Sequence, residues 1–418
     1  MKGKITWLDY SYILLLLIYT GSATIFARSL GNIATFGSWV GIFATCIMMY
    51  CRHVRLDRQY FYVIGIFLCY AAITTITNGI INLMWITQIT LYLSIAYVLV
   101  RIYDLYFFVI YEKLIYWLCI VSLIFWSIEL IAPNLVLGIV SALSFSAPYA
   151  DGGNVAANMG VYTVGNPDFA SEFQWLLRNS GFAWEPGAFA VMICLAIYCN
   201  AIRTKFSLKK NKQLYIMLLA LLSTQSTTGM MLLCILIIGY IMSQRALVAG
   251  ISLCCAIPLL YFIYSAPYVK DKIMDEYTNI DIETRIQYIS EASSENTAAL
   301  GRMESFIIEW NEFKRHPFIG LGGWSEGSYL QQQGVDIATV SGLGSLLSKY
   351  GLFISLLFFI SLIKTTAYIM KQSHCRGVIV FPLLFVGLMI SYNLWIHAII
   401  IPFWIYIAYR KKDSTVLL

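Results

Sequence analysis

The segment Arg178-Asn-Ser-Gly-Phe-Ala-Trp-Glu185-Pro-Gly-Ala-Phe-Ala190 sets a guanidinium, a carboxylate and two helix-breaking residues where a polar loop runs into an apolar stretch. Charged groups beside lipid are expensive and tend to mark function. An arginine fork grips phosphate oxygens bidentately, and a neighbouring carboxylate could act as a base or orient the arginine. Pro186 suits the first turn of a helix, where its missing N–H costs nothing, so Glu185 falls at or just before that helix start. The plainer alternative is a carboxylate that complements the helix dipole, with Arg178 as its surface partner.

Arg302 is the second candidate cation. It stands in an acidic loop, and only Arg28, Arg178, Arg285, Arg302 and Arg315 fall in segments assigned below to the outer side. The alternative is a solvated charge on a helix face. His316 opens His-Pro-Phe-Ile-Gly320-Leu-Gly322-Gly323. It could titrate near neutrality as a base or phosphate partner, or simply hydrogen-bond at a helix end. The polar knot Ser223-Thr-Gln-Ser226-Thr-Thr228-Gly229 lies between two apolar runs. It reads either as a turn or as the wall of a cavity that hydrogen-bonds a polar ligand.

The elements that must position these residues are membrane helices. Hydrophobic residues make up 59% of the 418 and charged residues 12%, against about 25% charged in soluble domains. Runs of roughly 20 apolar residues, the length of a span, occur at about 10–28, 33–51, 59–77, 80–100, 112–132, 184–203, 213–227, 229–244, 247–266, 344–363, 377–393 and 394–410. The expectation is an all-α polytopic membrane protein with about twelve transmembrane helices and two long extracytoplasmic loops, the second partly helical. Its divisions are 1–132 (helices 1–5), 133–183 (loop), 184–266 (helices 6–9), 267–343 (large acidic loop) and 344–418 (helices 10–12). The pairs 213–244 and 377–410 are divided on weak turn signals.

Basic residues set the orientation. Short loops such as Arg52–Arg58 and Arg203–Lys212 concentrate Lys and Arg on one side, which the positive-inside rule makes cytoplasmic together with both termini. Lys2 and Lys4 precede the first apolar run with no small-x-small cleavage site after it, so an uncleaved anchor is expected. The net charge of +6 is thus a topology signal; no soluble basic stripe with interleaved aromatics points to nucleic acid. No cysteine falls in 133–183 or 267–343, so the outer loops are not disulfide-stapled.

The loop 133–183 reads as irregular, with a short helix near 168–178. In 267–343 there are twelve acidic and six basic residues. Leu300, Met303, Ile307 and Trp310 recur there at helical spacing, predicting an amphipathic helix over 298–314 on the membrane face. Arg302 and Glu309 project from a different stripe. His316-Pro317 ends the helix, and Gly320, Gly322 and Gly323 allow a tight loop of close approach. Ionisable groups inside the spans are few: Glu129, Lys349 and His397. Ion-coupled transporters usually need intramembrane acids. No Walker motif, Gly-rich phosphate loop or Asp-x-Asp metal site appears, which argues against an ATP pump or a metal-dependent cytoplasmic glycosyltransferase.

Taken together, the Arg178-x-x-Gly181-Phe…Glu185-Pro-Gly element, the Ser226-Thr-Thr-Gly turn, Gly301-Arg302, His316-Pro-x-x-Gly-x-Gly322 and Lys349-Tyr350-Gly351-Leu resemble the superfamily of Wzy-type O-antigen polymerases and O-antigen ligases. The Glu-Pro-Gly element after the arginine resembles polymerases more than ligases. The resemblance implies a metal-independent membrane glycosyltransferase without a cofactor, on the periplasmic face of a bacterial inner membrane. It would join oligosaccharide repeat units carried on undecaprenyl pyrophosphate. Arg178 and Arg302 would neutralise the departing pyrophosphate. Glu185, or His316, would take the acceptor proton, unless Glu185 only orients Arg178. Ser226, Thr228, Gly320, Gly322 and Tyr350 would contact substrate. Expected partners are the lipid-linked oligosaccharide and the bilayer, with room for a chain-length regulator protein and none for nucleic acid. Competing readings are a ligase that moves finished polymer to lipid A–core and, in another class, a flippase for the same lipid-linked sugar.

Overall fold

Apolar residues run around the whole circumference of most helices in this chain, the pattern of helices buried in lipid or in one another. The computed structural model describes residues 5–20, 34–143, 158–164, 177–244, 301–323, 327–332 and 339–411, the side chains of 34–38 and 329 excepted. Apart from the single turn Tyr329–Gln332, its helices are α1 (Trp7–Tyr19), α2 (Ala34–Cys51), α3 (Arg58–Asn78), α4 (Leu83–Tyr103), α5 (Tyr106–Ile131), α6 (Pro133–Leu143), α7 (Pro186–Arg203), α8 (Lys212–Ser223), α9 (Thr227–Ser243), α10 (Arg302–Arg315), α11 (Gly342–Gln372), α12 (Val380–Ser391) and α13 (Pro402–Tyr409). No strand occurs among the described residues. The expected ninth span at 247–266, the short helix near 168–178 and the loop from 267 to 300 lie outside them.

Among the described residues, α3, α4, α5, α7 and α11 are long and apolar enough to cross a membrane; α1, α6, α8, α9, α12 and part of α2 are apolar but shorter. The two weakly divided pairs are each separate helices, α8 with α9 and α12 with α13. One expectation needs correcting. The chain after 132 is not irregular from its start: Pro133 begins α6, whose Val136 and Val140 pack one turn apart against Tyr162.

Helix α7 is the centre of the fold. Every residue from Pro186 to Asn200 is buried, and α5, α8 and α9 pack around it. At its far end Arg203 makes a bidentate pair with the buried Glu112 of α5, at 2.7 and 2.6 Å. Asn200 donates to the same carboxylate at 2.7 Å. Glu112 is thus a buried ionisable group, as Glu129 and His397 are, whereas Lys349 is exposed. The same end of the bundle holds the Asp9–Arg52 pair, at 2.7 Å, and the Arg101–Asp57 pair.

Helix α11 is broken at Gly351, whose φ is 65°. Backbone freed inside a bundle must find partners, and the 316–323 segment supplies them. Leu352 and Phe353 N–H donate to the Pro317 and Phe318 carbonyls, at 2.8 and 3.3 Å. Leu321 and Gly322 N–H donate to the Ser348 and Lys349 carbonyls, at 2.9 and 2.7 Å. Tyr70 of α3 donates to the Ile319 and Lys349 carbonyls, at 2.8 and 2.9 Å. Gly320 has φ 71°, and a Cβ there would meet Gly351 N at 2.6 Å.

Gly320→Ala is expected to lower the melting temperature of the detergent-solubilised protein by a destabilisation of about 1–3 kcal/mol. Gly65→Ala in α3, where an added Cβ meets nothing within 4 Å, is expected to be neutral or slightly stabilising. Equal melting temperatures for both variants would contradict the account of this plug.

Candidate functional site

Arg178 is placed by α5 and by the α8–α9 turn. Ser122, Trp126 and Glu129 recur at i, i+4 and i+7 along α5 and so share a face. Asn179 Nδ2 donates to Ser122 Oγ at 3.3 Å, Trp126 Nε1 donates to the Leu177 carbonyl at 2.7 Å, and Tyr162 donates to Glu129. The turn completes the clamp. Asn179 N donates to the Ser223 carbonyl at 3.0 Å and Asn179 Nδ2 to Ser223 Oγ at 2.9 Å. Arg178 Nε donates to the Thr224 carbonyl at 3.2 Å. The guanidinium is thus moored through one nitrogen to the polar knot.

Glu185 is the N-cap residue of α7 with Pro186 at the first position, as the spacing predicts, but its side chain makes no capping hydrogen bond. Two residues on, Gly187 packs against the Tyr392 hydroxyl, which brings the Glu185 helix start to that residue. Arg302 begins α10, and its Nη2 donates to the same hydroxyl at 3.4 Å, with the guanidinium 5.6 Å from the centre of the Tyr392 ring. A cation in the first turn of a helix opposes the helix dipole, so this arginine has a local electrostatic cost that an anion would relieve.

Four helix N-termini meet at this point. A Cβ on Gly187, in the first turn of α7, would sit 1.9 Å from the Tyr392 hydroxyl and 3.5 Å from Ser226 Oγ. Ser226 caps α9 through the Gly229 N–H, at 3.2 Å, and Thr228 Oγ1 lies 2.9 Å from Ser391 Oγ, next to Tyr392. Arg302 brings the start of α10. A Cβ on Gly342, the first residue of α11, would lie 2.3 Å from the Tyr392 carbonyl oxygen. Helix N-termini carry partial positive charge and free N–H groups. Together with Arg302 they make a site suited to an anion such as phosphate.

Among the residues singled out from sequence, Arg178, Glu185, Ser226, Thr228 and Arg302 share this neighbourhood. The hydroxyls of Ser226 and Thr228 are engaged in a helix cap and an interhelical bond, so they shape the turn. His316, Gly320, Gly322 and Tyr350 gather elsewhere, around the break in α11. His316 ends α10, fourteen residues from Arg302, or about 20 Å at 1.5 Å per residue. Gly322 N–H is bonded within the plug, and Tyr350 is buried, accepting from Trp85 Nε1 at 3.3 Å. Tyr392, Gly187 and Glu309 were missed from sequence; the one signal for Tyr392 is the polar Ser391-Tyr392-Asn393 break between two apolar runs.

The face α10 buries is not the apolar stripe that the spacing assigned to the membrane side. Ser305, Ile308, Glu309 and Glu312 are buried, while Trp310 is exposed and Leu300 lies outside the described residues. Polar partners decide this. Glu309 accepts from Thr339 and Ser348, Ser305 Oγ accepts from Val340 N–H at 3.3 Å, and a Cβ on Gly344 of α11 would meet Glu309 Cβ at 2.6 Å.

Residues 214–346 match the family model Wzy_C, described as O-antigen ligase. That is roughly a third of the chain, and it contains Ser226, Thr228, Arg302, His316, Gly320 and Gly322. The match agrees with the resemblance to the O-antigen polymerase and ligase superfamily and points to polysaccharide processing of that type by a multi-pass membrane protein. No curated protein matches the chain.

Burial raises the Glu309 carboxyl above its ordinary range; Lys349 and the Thr339 hydrogen bond oppose that shift, and Glu312 adds to it. A carboxyl whose folded pKa is raised binds its proton more tightly when folded, so its contribution is full below the unfolded value and is lost as pH rises through the folded one. The melting temperature is therefore expected to carry a component that falls across that window in the wild type and is absent in Glu309→Gln. The same slope in both would contradict this role for Glu309.

Proposed function

We propose that the chain is a polysaccharide polymerase: a membrane glycosyltransferase that joins oligosaccharide repeat units carried on undecaprenyl pyrophosphate at the periplasmic face of a bacterial inner membrane. The observation that carries this reading is the meeting of four helix N-termini and Arg302 around Tyr392, with Glu185 in the same cluster and Arg178 moored to the adjoining turn. Such a site suits a group that gains negative charge, and pyrophosphate leaving a sugar is such a group.

In this reading the acceptor hydroxyl oxygen attacks the anomeric carbon of the donor chain. The bond from that carbon to the phosphate oxygen breaks, and its electron pair leaves with undecaprenyl pyrophosphate. Arg302 and Arg178 stabilise the charge as it develops, an interaction stronger in the transition state than in the ground state. Glu185 accepts the hydroxyl proton. His316, at the opposite end of α10, is too distant to share that reacting centre. The lengthened chain stays on the acceptor's carrier and the donor's carrier departs as undecaprenyl pyrophosphate, so the reaction draws on no nucleotide sugar or cofactor.

The topology that goes with this reading has about twelve spans, both termini in the cytoplasm and the divisions 1–132, 133–183, 184–266, 267–343 and 344–418. It puts the four converging N-termini on the outer side and the Glu112–Arg203 and Asp9–Arg52 pairs on the inner side, in keeping with the basic inner loops. The Glu185-Pro-Gly element after Arg178 favours polymerase. The family description favours ligase as the second reading.

In cells lacking this chain, the surface-polysaccharide ladder is expected to collapse to a single repeat unit on the core. A long lipid-linked polymer that never reaches the core would mean ligase, and lipid-linked repeats trapped on the cytoplasmic face would mean flippase. Arg178→Ala, Arg302→Ala and the corresponding lysine variants are expected to restore no ladder while inserting normally, because an ammonium lacks the bidentate fork. A full ladder from both alanine variants would overturn the site.

A further inference from the structure

We propose that the Tyr392 hydroxyl is the positioning group of this site, holding Arg302 toward the phosphates and against the helix start that carries Glu185. The inference rests on the glycosyl-transfer reading above and names a residue which that reading does not use.

Three features single Tyr392 out. Its backbone is fixed on both sides. The N–H donates to the Leu388 carbonyl at 3.0 Å, the preceding Ser391 is tied to Thr228, and the carbonyl lies against Gly342 of α11. Its hydroxyl occupies a notch that exists only because residue 187 is glycine. Finally, its hydroxyl joins two charge-bearing segments. The oxygen accepts from Arg302 Nη2 at 3.4 Å and sits against Gly187, two residues after Glu185. One atom therefore sets the distance from the cation to the helix start that carries the carboxylate.

Packing alone does not account for a tyrosine here. The ring is buried and already lies beneath the Arg302 guanidinium. Phenylalanine would fill the same space without carrying a hydroxyl into the interior, where a hydroxyl is costly unless bonded. What the hydroxyl adds is direction. Arg302 lies at the first turn of α10, Glu185 precedes the first turn of α7, and the two are 117 positions apart in the sequence. Reacting groups carried on separate helices must be held to a fraction of an ångström for transfer, and Tyr392 is the contact common to the two helix starts.

The notch supplies an independent way to break the same contact. Gly187→Ala pushes a methyl into the hydroxyl oxygen, whereas the nearest other atom of Tyr392, Cζ, would be 3.0 Å from that methyl. Tyr392→Phe removes the hydroxyl and keeps the ring. If both act through the same contact, the double variant is no worse than the worse single variant, which is the signature of coupled rather than independent sites.

The test uses the full chain in detergent, with lipid-linked repeat units accumulated in cells that lack it, and undecaprenyl pyrophosphate as the binding probe. Tyr392→Phe is expected to lower kcat by about tenfold or more, with KM and undecaprenyl pyrophosphate binding changed by less than about threefold, the pattern of an interaction realised in the transition state. Gly187→Ala is expected to lose kcat in the same way. The double variant is expected to match the worse single variant, and Tyr392→Phe to melt near the wild type. A wild-type kcat in Tyr392→Phe, a rise in KM alone, or losses that multiply in the double variant would overturn the inference and leave the polymerase reading standing. Failure of the wild-type chain to turn over the repeat units or bind undecaprenyl pyrophosphate would overturn both.

Discussion

Positive potential gathered at one place is the constraint on which the rest of this structure depends. The first turns of α7, α9, α10 and α11 lie beside the end of α12, and Arg302 adds a full charge at the start of α10. Helix dipoles and a guanidinium so arranged repel one another, and the arrangement persists because packing over-determines it. Helix α7 is buried along its length and anchored at the far end by Glu112 and Arg203. Helix α10 is bolted to α11 through Glu309, and α11 is held at its break by the 316–323 plug. The cost of gathering these termini is borne by the bundle, and in the proposed reading a pyrophosphate group relieves it.

Each peripheral feature serves that convergence. The Ser122-Trp126-Glu129 face of α5 steers the Arg178 segment onto the α8–α9 turn. The glycines at 187, 342 and 344 let helices approach where a side chain would hold them apart. The His316-Pro317 loop, which looks from sequence like part of a reacting centre, closes the broken backbone of α11 and so fixes the height at which α10 presents Arg302. Buried polar groups in lipid-facing proteins are satisfied by other protein groups, and here that requirement builds the scaffold around the candidate site.

Much of this was legible in the sequence because local rules govern it. Pro186 marks a helix start and His316-Pro317 a helix end, Gly320 and Gly322 mark left-handed backbone, and apolar runs mark most helices. The residues that were not legible depend on contacts between distant segments. Tyr392 acquires its place from Gly187 and Arg302, roughly 200 and 90 positions away, and no periodicity encodes that pairing. The face α10 buries was not legible because hydrophobic spacing marks only the membrane stripe of Met303, Ile307 and Trp310, whereas hydroxyls of Thr339 and Ser348 draw Glu309 inward. Glu112 reads as the polar edge of a span until Arg203 is folded against it. Helix α6 lies hidden in a Gly- and Ser-rich stretch whose average composition masks one amphipathic turn pair.

The central claim is that this site uses lipid-linked sugar as both donor and acceptor. The most direct measurement is to reconstitute the purified chain in liposomes with undecaprenyl-pyrophosphate-linked repeat units alone, without nucleotide sugar or lipid A–core, and to follow the lipid-linked products by mass spectrometry. The account predicts lipid-linked dimers and longer oligomers, with one undecaprenyl pyrophosphate released for each bond formed. Unchanged repeat units in that mixture, with transfer appearing only when lipid A–core is added, would contradict it.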